Sequence, residues 1–331
     1  MAELVRVAAL TNYFETMAGL GCDPRPLLKE QGLSADLLVN PEQLISARAA
    51  IRLLERSAAE TGCITLGLRM AEGRALANLG ATSLLIAHQP TLRHAITALR
   101  EFRARINSTL IFNVEEIGDD AILREDFVLR RPEPSRQSSD LTLGVLMRLC
   151  SEVLGSDWSP RTVCFSHEAP PPAELPIFTR IFRCPVQFDS ELNGIVLHRA
   201  DLDRPNLRAD DQLARHARQL LDKAMSPVER TATQDVDQLI RLLMPAGRAS
   251  IQNCAASMGV TVRTLQRMLD GEGTSFSALL NGARMQLATQ YLANPRMRIT
   301  DVAEMLGYGS IGAFSRWHSQ AFGASPRNRR S

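Results

Sequence analysis

The sequence predicts a mixed α+β N-terminal domain followed by an all-α C-terminal domain with two helix-turn-helix units. Three observations predict it. The C-terminal stretch carries two short amphipathic patterns, each meeting a glycine and then a second helix that starts at a hydroxyl residue. Before residue 226, helical periodicity is mixed with period-two alternation. The length, 331 residues, suits about two domains.

In chain order, Ala47–Ala59 and Thr91–Arg105 read as amphipathic helices. Thr109–Val114 and Ala121–Leu129 alternate around Gly118-Asp119-Asp120 and read as paired strands. Arg130–Ser139 is polar and contains proline, so it reads as a loop before a helix over Leu141–Leu154. Short strands are expected at Thr162–Ser166, Val186–Asp189 and Gly194–Leu197, with Pro170-Pro171-Pro172 breaking structure between the first two. Asp210–Ala224 is an amphipathic helix with Leu213, Ala217, Leu220, Leu221 and Ala224 on one face. That stripe serves either its own core or a dimer interface. Met225–Gln234, with Ser226-Pro227, reads as a linker. The division is therefore 1–225, a linker at 226–234, and 235–331.

In the C-terminal part the first unit spans about 247–270, a connecting helix about 276–293, and the second unit about 299–322. In the second unit Phe314 centres the buried face, with Trp317, His318 and Ala321 on the same side. Gly312, Arg316 and Ser319 fall opposite. Ser310 is the N-cap, and Gly323 ends the helix. In the first unit Val262, Leu265, Met268 and Leu269 share a face, Thr261 is the cap, and Arg263, Gln266 and Arg267 point away. Both second helices thus carry an arginine outward, two residues after the central apolar one. Arginine paired with guanine O6 and N7 is the commonest specific base contact. Between the units Leu280, Ala283, Leu287 and Tyr291 make a helical stripe that Asn294-Pro295 stops. Two such units on one chain can reach two successive major-groove segments.

Charge agrees in its distribution rather than its sum. The whole chain is only +2. Residues 226–331 hold twelve arginines, no lysine and seven acids, whereas the remainder has three more acids than bases. Hydrophobic content of 45% and charged content of 22% are ordinary for a globular protein. The six cysteines form no Cys-x-x-Cys pair and no zinc spacing, so no metal is expected and the thiols read as free in a reducing cytosol. The N-terminus lacks a signal-peptide pattern, and the longest uncharged run, Ala75–Leu92, is too polar to span a membrane. A cytoplasmic location is therefore expected. Gly307-x-Gly309-x-x-Gly312 matches a dinucleotide-binding pattern, but it follows an amphipathic helix instead of a strand, so no cofactor is expected. His167, at a strand end, reads as a structural hydrogen-bonder. With no catalytic constellation, the chain does not read as an enzyme.

Residues from about Gln234 to Arg330 resemble the AraC/XylS family of bacterial transcription regulators. The likeness is carried by Thr264-Leu265-Gln266-Arg267, Leu306-Gly307-Tyr308, Ala313-Phe314-Ser315-Arg316 and Phe322-Gly323-Ala324-Ser325-Pro326-Arg327. It implies base contacts at Arg263, Gln266 and Arg267 in the first unit and at Ile311, Gly312 and Arg316 in the second. Thr264, Ser310, Ser315, Ser319 and Arg327 are assigned to the DNA backbone. The sequence departs from the pattern at Ile311 and Gly312, which donate no side-chain hydrogen bond, so the second unit is expected to read less sequence. Gly67-Leu68-Arg69, Val163–Pro170, Phe182–Phe188, Asn193-Gly194 and Asp201–Pro205 look like the branch similar to the ornithine-utilisation regulator, whose N-terminal domain is called arabinose-binding-like. That resemblance implies a small-molecule effector domain, homodimerisation and activation through contact with RNA polymerase. The alternatives are an enzyme or metabolite-binding protein with secondary DNA binding, and an architectural DNA binder without a ligand.

Overall fold

A computed structural model describes residues 3–129, 133–223, 231–244, 247–258, 260–292 and 297–326. The chain divides into two compact units, Met1–Pro227 and Val228–Ser331. The first is mixed α/β. The described part of the second is helical throughout.

The N-terminal unit opens with strand β1 (Leu4–Arg6), paired antiparallel with β2 (Leu44–Ser46). Between them lie α1 (Tyr13–Gly19) and α2 (Arg25–Glu30). Then come α3 (Ala47–Thr61), α4 (Leu66–Glu72), α5 (Ala81–Ala87) and α6 (Leu92–Ile106). Ser46 and Thr91 cap α3 and α6 by accepting from the amides of Ala49 and His94. A sheet follows, built from β3 (Leu110–Ile117), β4 (Asp120–Phe127), β5 (Thr162–Cys164), β6 (Val186–Gln187) and β7 (Asn193–His198). Its order is β3-β4-β7-β5-β6, antiparallel except for β5 with β6. Each strand expected from alternation is present. The β3–β4 turn places Gly118 at φ 60°, in the left-handed region that glycine adopts without strain.

Helix α7 (Arg136–Leu154) packs on the sheet and on α4, and α8 (Leu175–Phe182) lies between β5 and β6 in the chain. Its start corrects the expected loop at Arg130–Ser139: residues 136–139 are already helical, while 130–132 lie outside the described residues. Polarity misleads there because Gln137, Ser138, Ser139 and Asp140 are buried polar residues. The Gln137 side chain accepts from the Gly67 amide at 2.9 Å and donates to the Ile64 carbonyl at 2.9 Å, so it is satisfied inside the protein. A Cβ at Gly67 would sit 2.0 Å from the Gln137 carbonyl oxygen, so this close crossing of α4 and α7 requires glycine.

The last helix of the unit, α9 (Asp211–Lys223), also corrects the expected stripe. Ala214, Ala217 and Leu221 are buried with Leu85, Ala98 and Phe102. Leu213 and Leu220 are 46% and 47% exposed, and Ala224 lies outside the described residues. The small residues of α9 face α5, and its leucines at 213 and 220 are left to solvent.

The second unit contains α10 (Ala232–Leu243), α11 (Ile251–Ser257), α12 (Val262–Gly271), α13 (Phe276–Leu292), α14 (Ile299–Met305) and α15 (Ile311–Phe322). Residues 232–234, expected in the linker, open α10, where the Thr231 side chain caps the Gln234 amide. One core joins all six helices through Val236, Cys254, Leu265, Ala283, Val302 and Phe314. The deepest positions of α13 are Ala283, Ala288 and Leu292, whereas Leu280, Leu287 and Tyr291 are half-buried. This departs from the single stripe read in the sequence. Helix α13 contacts α10 and α14, so more than one of its faces is covered. The Asn294-Pro295 stop lies outside the described residues.

Candidate nucleic-acid interface

The two helix-turn-helix units close their turns in the same way. The Val260 amide donates to the Ala255 carbonyl at 3.0 Å, and the Tyr308 amide donates to the Ala303 carbonyl at 2.9 Å. Each is a six-to-one bond that returns the chain onto the end of its first helix. In the second turn Gly307 supplies φ 75°. Gly259, the corresponding glycine of the first, lies outside the described residues. The Gly307-x-Gly309-x-x-Gly312 pattern therefore belongs to a helix–turn–helix corner.

The second helices are capped alike. The Thr261 hydroxyl accepts from the Thr264 amide, and the Ser310 hydroxyl from the Ala313 amide, both at 3.2 Å. Counted from the cap, the fourth residue is Leu265 or Phe314 and the eighth is Leu269 or His318. All four are at most 1% exposed. The sixth is Arg267 or Arg316, exposed on the opposite face. Helical periodicity produces this alternation, because four and eight residues share a face that six avoids.

The structure brings Arg263, Gln266 and Arg267 together on the exposed face of α12. Met268 is 38% exposed and Val262 half-buried, so the apolar face expected here narrows to Leu265 and Leu269. On α15, Ile311 is 45% exposed, and Gly312, Arg316 and Ser319 are also exposed. A Cβ at Gly312 would lie 3.7 Å from a terminal nitrogen of Arg316, so that guanidinium folds back over the glycine. Ser310 is exposed at the cap. Thr264 and Ser315 are half-buried, and the Thr264 hydroxyl meets that of Thr261 at 2.9 Å. Arg327 lies outside the described residues.

Arg263, Arg267 and Arg316 form no ion pair among the described residues. In the N-terminal unit, by contrast, Arg48, Arg52, Arg93, Arg161, Arg180 and Arg208 all meet carboxylates. Unpaired, exposed guanidiniums on two capped helices form a cationic surface suited to phosphate and base edges.

Two struts tie the second unit to α13, and the sequence reading missed both. Arg284 donates from Nε to the Leu306 carbonyl at 3.0 Å and places its guanidinium 4.6 Å from the Tyr308 ring centroid. Trp317 donates from Nε1 to Asn281. The available signal was that Arg284 is the sole charged residue of α13. His318 adds an inner tie, its Nδ1 donating to the Ala324 carbonyl at 2.8 Å.

In the N-terminal unit both His167 nitrogens are engaged. Nδ1 donates to the Glu168 carbonyl at 2.8 Å, and Nε2 shares a proton with Asp140 Oδ1 at 2.9 Å. Burial is the main influence on Asp140 and pushes its carboxyl above the usual range, against the pull of His167. The six cysteines are unbridged. Burial pushes the Cys150 and Cys254 thiols up to about 12, which keeps them protonated at neutral pH.

Comparison with known proteins agrees with this geometry. Residues 21–206 match the arabinose-binding domain of AraC transcription regulators, and residues 254–331 match a helix-turn-helix domain family. The chain is 27% identical over 336 residues to the HTH-type transcriptional regulator VirS of Mycobacterium tuberculosis, covering 100% of this chain and 97% of the relative. It is 23% identical over 339 residues to the ornithine utilization regulator of Pseudomonas aeruginosa, covering 99% and 97%. Among solved structures, the transcriptional regulator CdpR from Pseudomonas aeruginosa aligns at 20% identity and a TM-score of 0.45, over 93% of this chain and 96% of that one. A helix-turn-helix pair with free arginines, joined in one chain to a matching N-terminal domain, places this protein in the AraC family of DNA-binding transcription regulators.

Proposed function

We propose that this regulator binds duplex DNA through both helix-turn-helix units and that a small-molecule effector in the N-terminal domain controls it. The observation that carries the DNA half is the pair of exposed arginines at the sixth position after each helix cap, Arg267 and Arg316, without an ion pair among the described residues. Arg263, Gln266 and Arg267 read bases in one major-groove segment. Arg316 reads the next, with Ile311 and Gly312 approaching bases closely and Ile311 offering apolar contact to a thymine methyl. Ser310, Ser315, Ser319 and Thr264 face the phosphates, as does Arg327 on the family pattern.

Helix α13 has 17 residues, a length on the order of 25 Å. That approaches the separation of about 34 Å between successive major-groove faces on one side of a duplex. On this reading residues 1–225 sense and dimerise, a linker ends before α10, and the helices from Ala232 onward bind DNA. The protein works in the cytoplasm as an activator, presenting its DNA-bound form to RNA polymerase. No described helix is long and apolar enough to cross a membrane. Homodimerisation is supported by the solvent-facing leucines of α9, Leu213 and Leu220. The test is selection of bound duplexes from a random pool by the full chain, followed by footprinting. Two protected major-groove segments about one helical turn apart on one face support the reading; a single segment overturns it.

A further inference from the structure

We propose that a cavity in the N-terminal unit binds a small monocarboxylate with an apolar body of about six carbons, its carboxylate held by Arg74. This rests on the reading of that unit as an effector domain, and it names the effector's chemical class.

The cavity has a volume of about 120 Å³ and is lined by β1, α3, α6, α7 and the β3–β4 hairpin. Its walls are mainly apolar, as at Ile51, Leu54, Phe112, Val145, Leu146 and Leu149. A cavity of roughly 150 Å³ with such walls accepts benzene, so the volume sets the scale of the ligand's body. Three arginines also line it, namely Arg6, Arg74 and Arg103, at 6%, 9% and 6% exposure, and among the described residues no aspartate or glutamate does. Arg6 pairs with Glu42, whose side chain is 68% exposed. Arg103 donates to the Leu110 carbonyl.

Arg74 is different. One terminal nitrogen donates to the backbone carbonyls of Ala9 and Thr11, while Nε has no partner. No carboxylate lies within ion-pair distance among the described residues. Burial without a counter-charge pushes its guanidinium down to about 10. A buried cation with an unused donor is costly, and a bound carboxylate supplies both the charge and the acceptor. A neutral ligand of the same shape leaves the charge uncompensated, and an ammonium ligand adds repulsion. The apolar walls select the rest of the molecule through contact area.

The probes are hexanoate and benzoate, each against its amide, with binding to the full-length protein followed by calorimetry and thermal unfolding. At least one acid is expected to bind about tenfold or more tightly than its amide. Arg74→Gln should remove that preference. Ala50→Leu, which fills the cavity and leaves Arg74 in place, should abolish binding by the acid. Equal binding of acid and amide, an acid preference that survives Arg74→Gln, or no binding by either acid at millimolar concentration would overturn the proposal. If amines or sugars shift the unfolding temperature while the acids do not, the effector reading stands and the carboxylate assignment falls. If no compound class shifts it, both fall.

Discussion

The indole Nε1 of Trp317 donates to the Asn281 side-chain oxygen at 2.7 Å, fastening the second recognition helix to the helix that separates the two units. Trp317 also meets Tyr308, Phe314 and Phe322, so its ring serves as packing surface and its nitrogen as a fixed point. Asn281→Ala removes the acceptor and leaves the aromatic cluster in place. The expected result is a loss of about 1 kcal/mol in stability of the DNA-binding unit, measured by chemical denaturation. Contacts from α15 should weaken in footprints more than those from α12. Equal weakening of both would assign the bond no positioning role.

Arg267→Ala and Arg316→Ala should each cost about 1–3 kcal/mol in specific DNA affinity and relax base choice at different positions. Arg267 should matter more for specificity, since Arg263 and Gln266 accompany it while Gly312 offers nothing beside Arg316. Quantitative binding to a library of single-base operator variants measures both effects. Loss of discrimination at one shared base pair would contradict bipartite reading.

Full-length binding should fall steeply with salt, because guanidiniums unpaired in the protein displace counterions from phosphates. A plot of log affinity against log salt concentration should be linear. Losing one phosphate contact should lower its slope by about 0.9. A slope near zero for the parent protein would rule out phosphate contacts as a main contributor.

The caps of the two second helices can be tested for stability alone. Thr261→Ala and Ser310→Ala each remove the side-chain acceptor at the start of a second helix, at a cost of about 1 kcal/mol in stability. Glycine at either position should cost only a few tenths. Unfolding midpoints of the alanine and glycine variants check the order.

Burial, and then the neighbouring Asp126, hold the Glu125 carboxyl well above its ordinary range, and Asp126 and Asp140 are shifted the same way by burial. The folded protein therefore keeps protons that the unfolded chain releases. By linkage, this contribution is present at acid pH and is lost as pH rises from about 4 through the folded values. Glu125→Gln keeps the shape without the titration. Stability should then fall less steeply in this window, by up to about 1.4 kcal/mol per pH unit. Unfolding temperatures against pH test the sign, and an unchanged profile would contradict it.

Leu213→Glu with Leu220→Glu should shift the protein toward monomer in sedimentation without unfolding it, because neither leucine is part of the α9 core. Ala217→Glu should instead destabilise the unit, being 2% exposed.

The recognition helices were legible because the same caps, turns and apolar spacings occur twice in the sequence, and the hairpin because β3 and β4 alternate around Gly118. The start of α7 was not legible. Gln137 and Asp140 look solvated until Gly67, Ile64 and His167 come within bonding distance, and those partners lie far away in sequence. The buried face of α9 was legible only in part. Ala217 and Leu221 stand in the expected stripe and are buried, but Leu213 and Leu220 are left to solvent, and Ala214, a small residue that allows close approach to α5, gives a weaker hydrophobic signal than either leucine. Arg74 left no local trace, since its meaning comes from an absence of acids around a cavity assembled from six elements.

Coverage of α13 by both α10 and α14 makes it a ruler as well as a connector. A helix locked on more than one side leaves little freedom to swing one reading head against the other. If both units engage the duplex as proposed, any mismatch in operator spacing must then be absorbed by the DNA. Inserting one base pair between the two recognised segments rotates the second by about 34° and must be undone by twisting or bending the duplex. Operators for this protein should therefore tolerate base changes in the spacer far better than changes in its length, with preference among spacer sequences following how readily they deform.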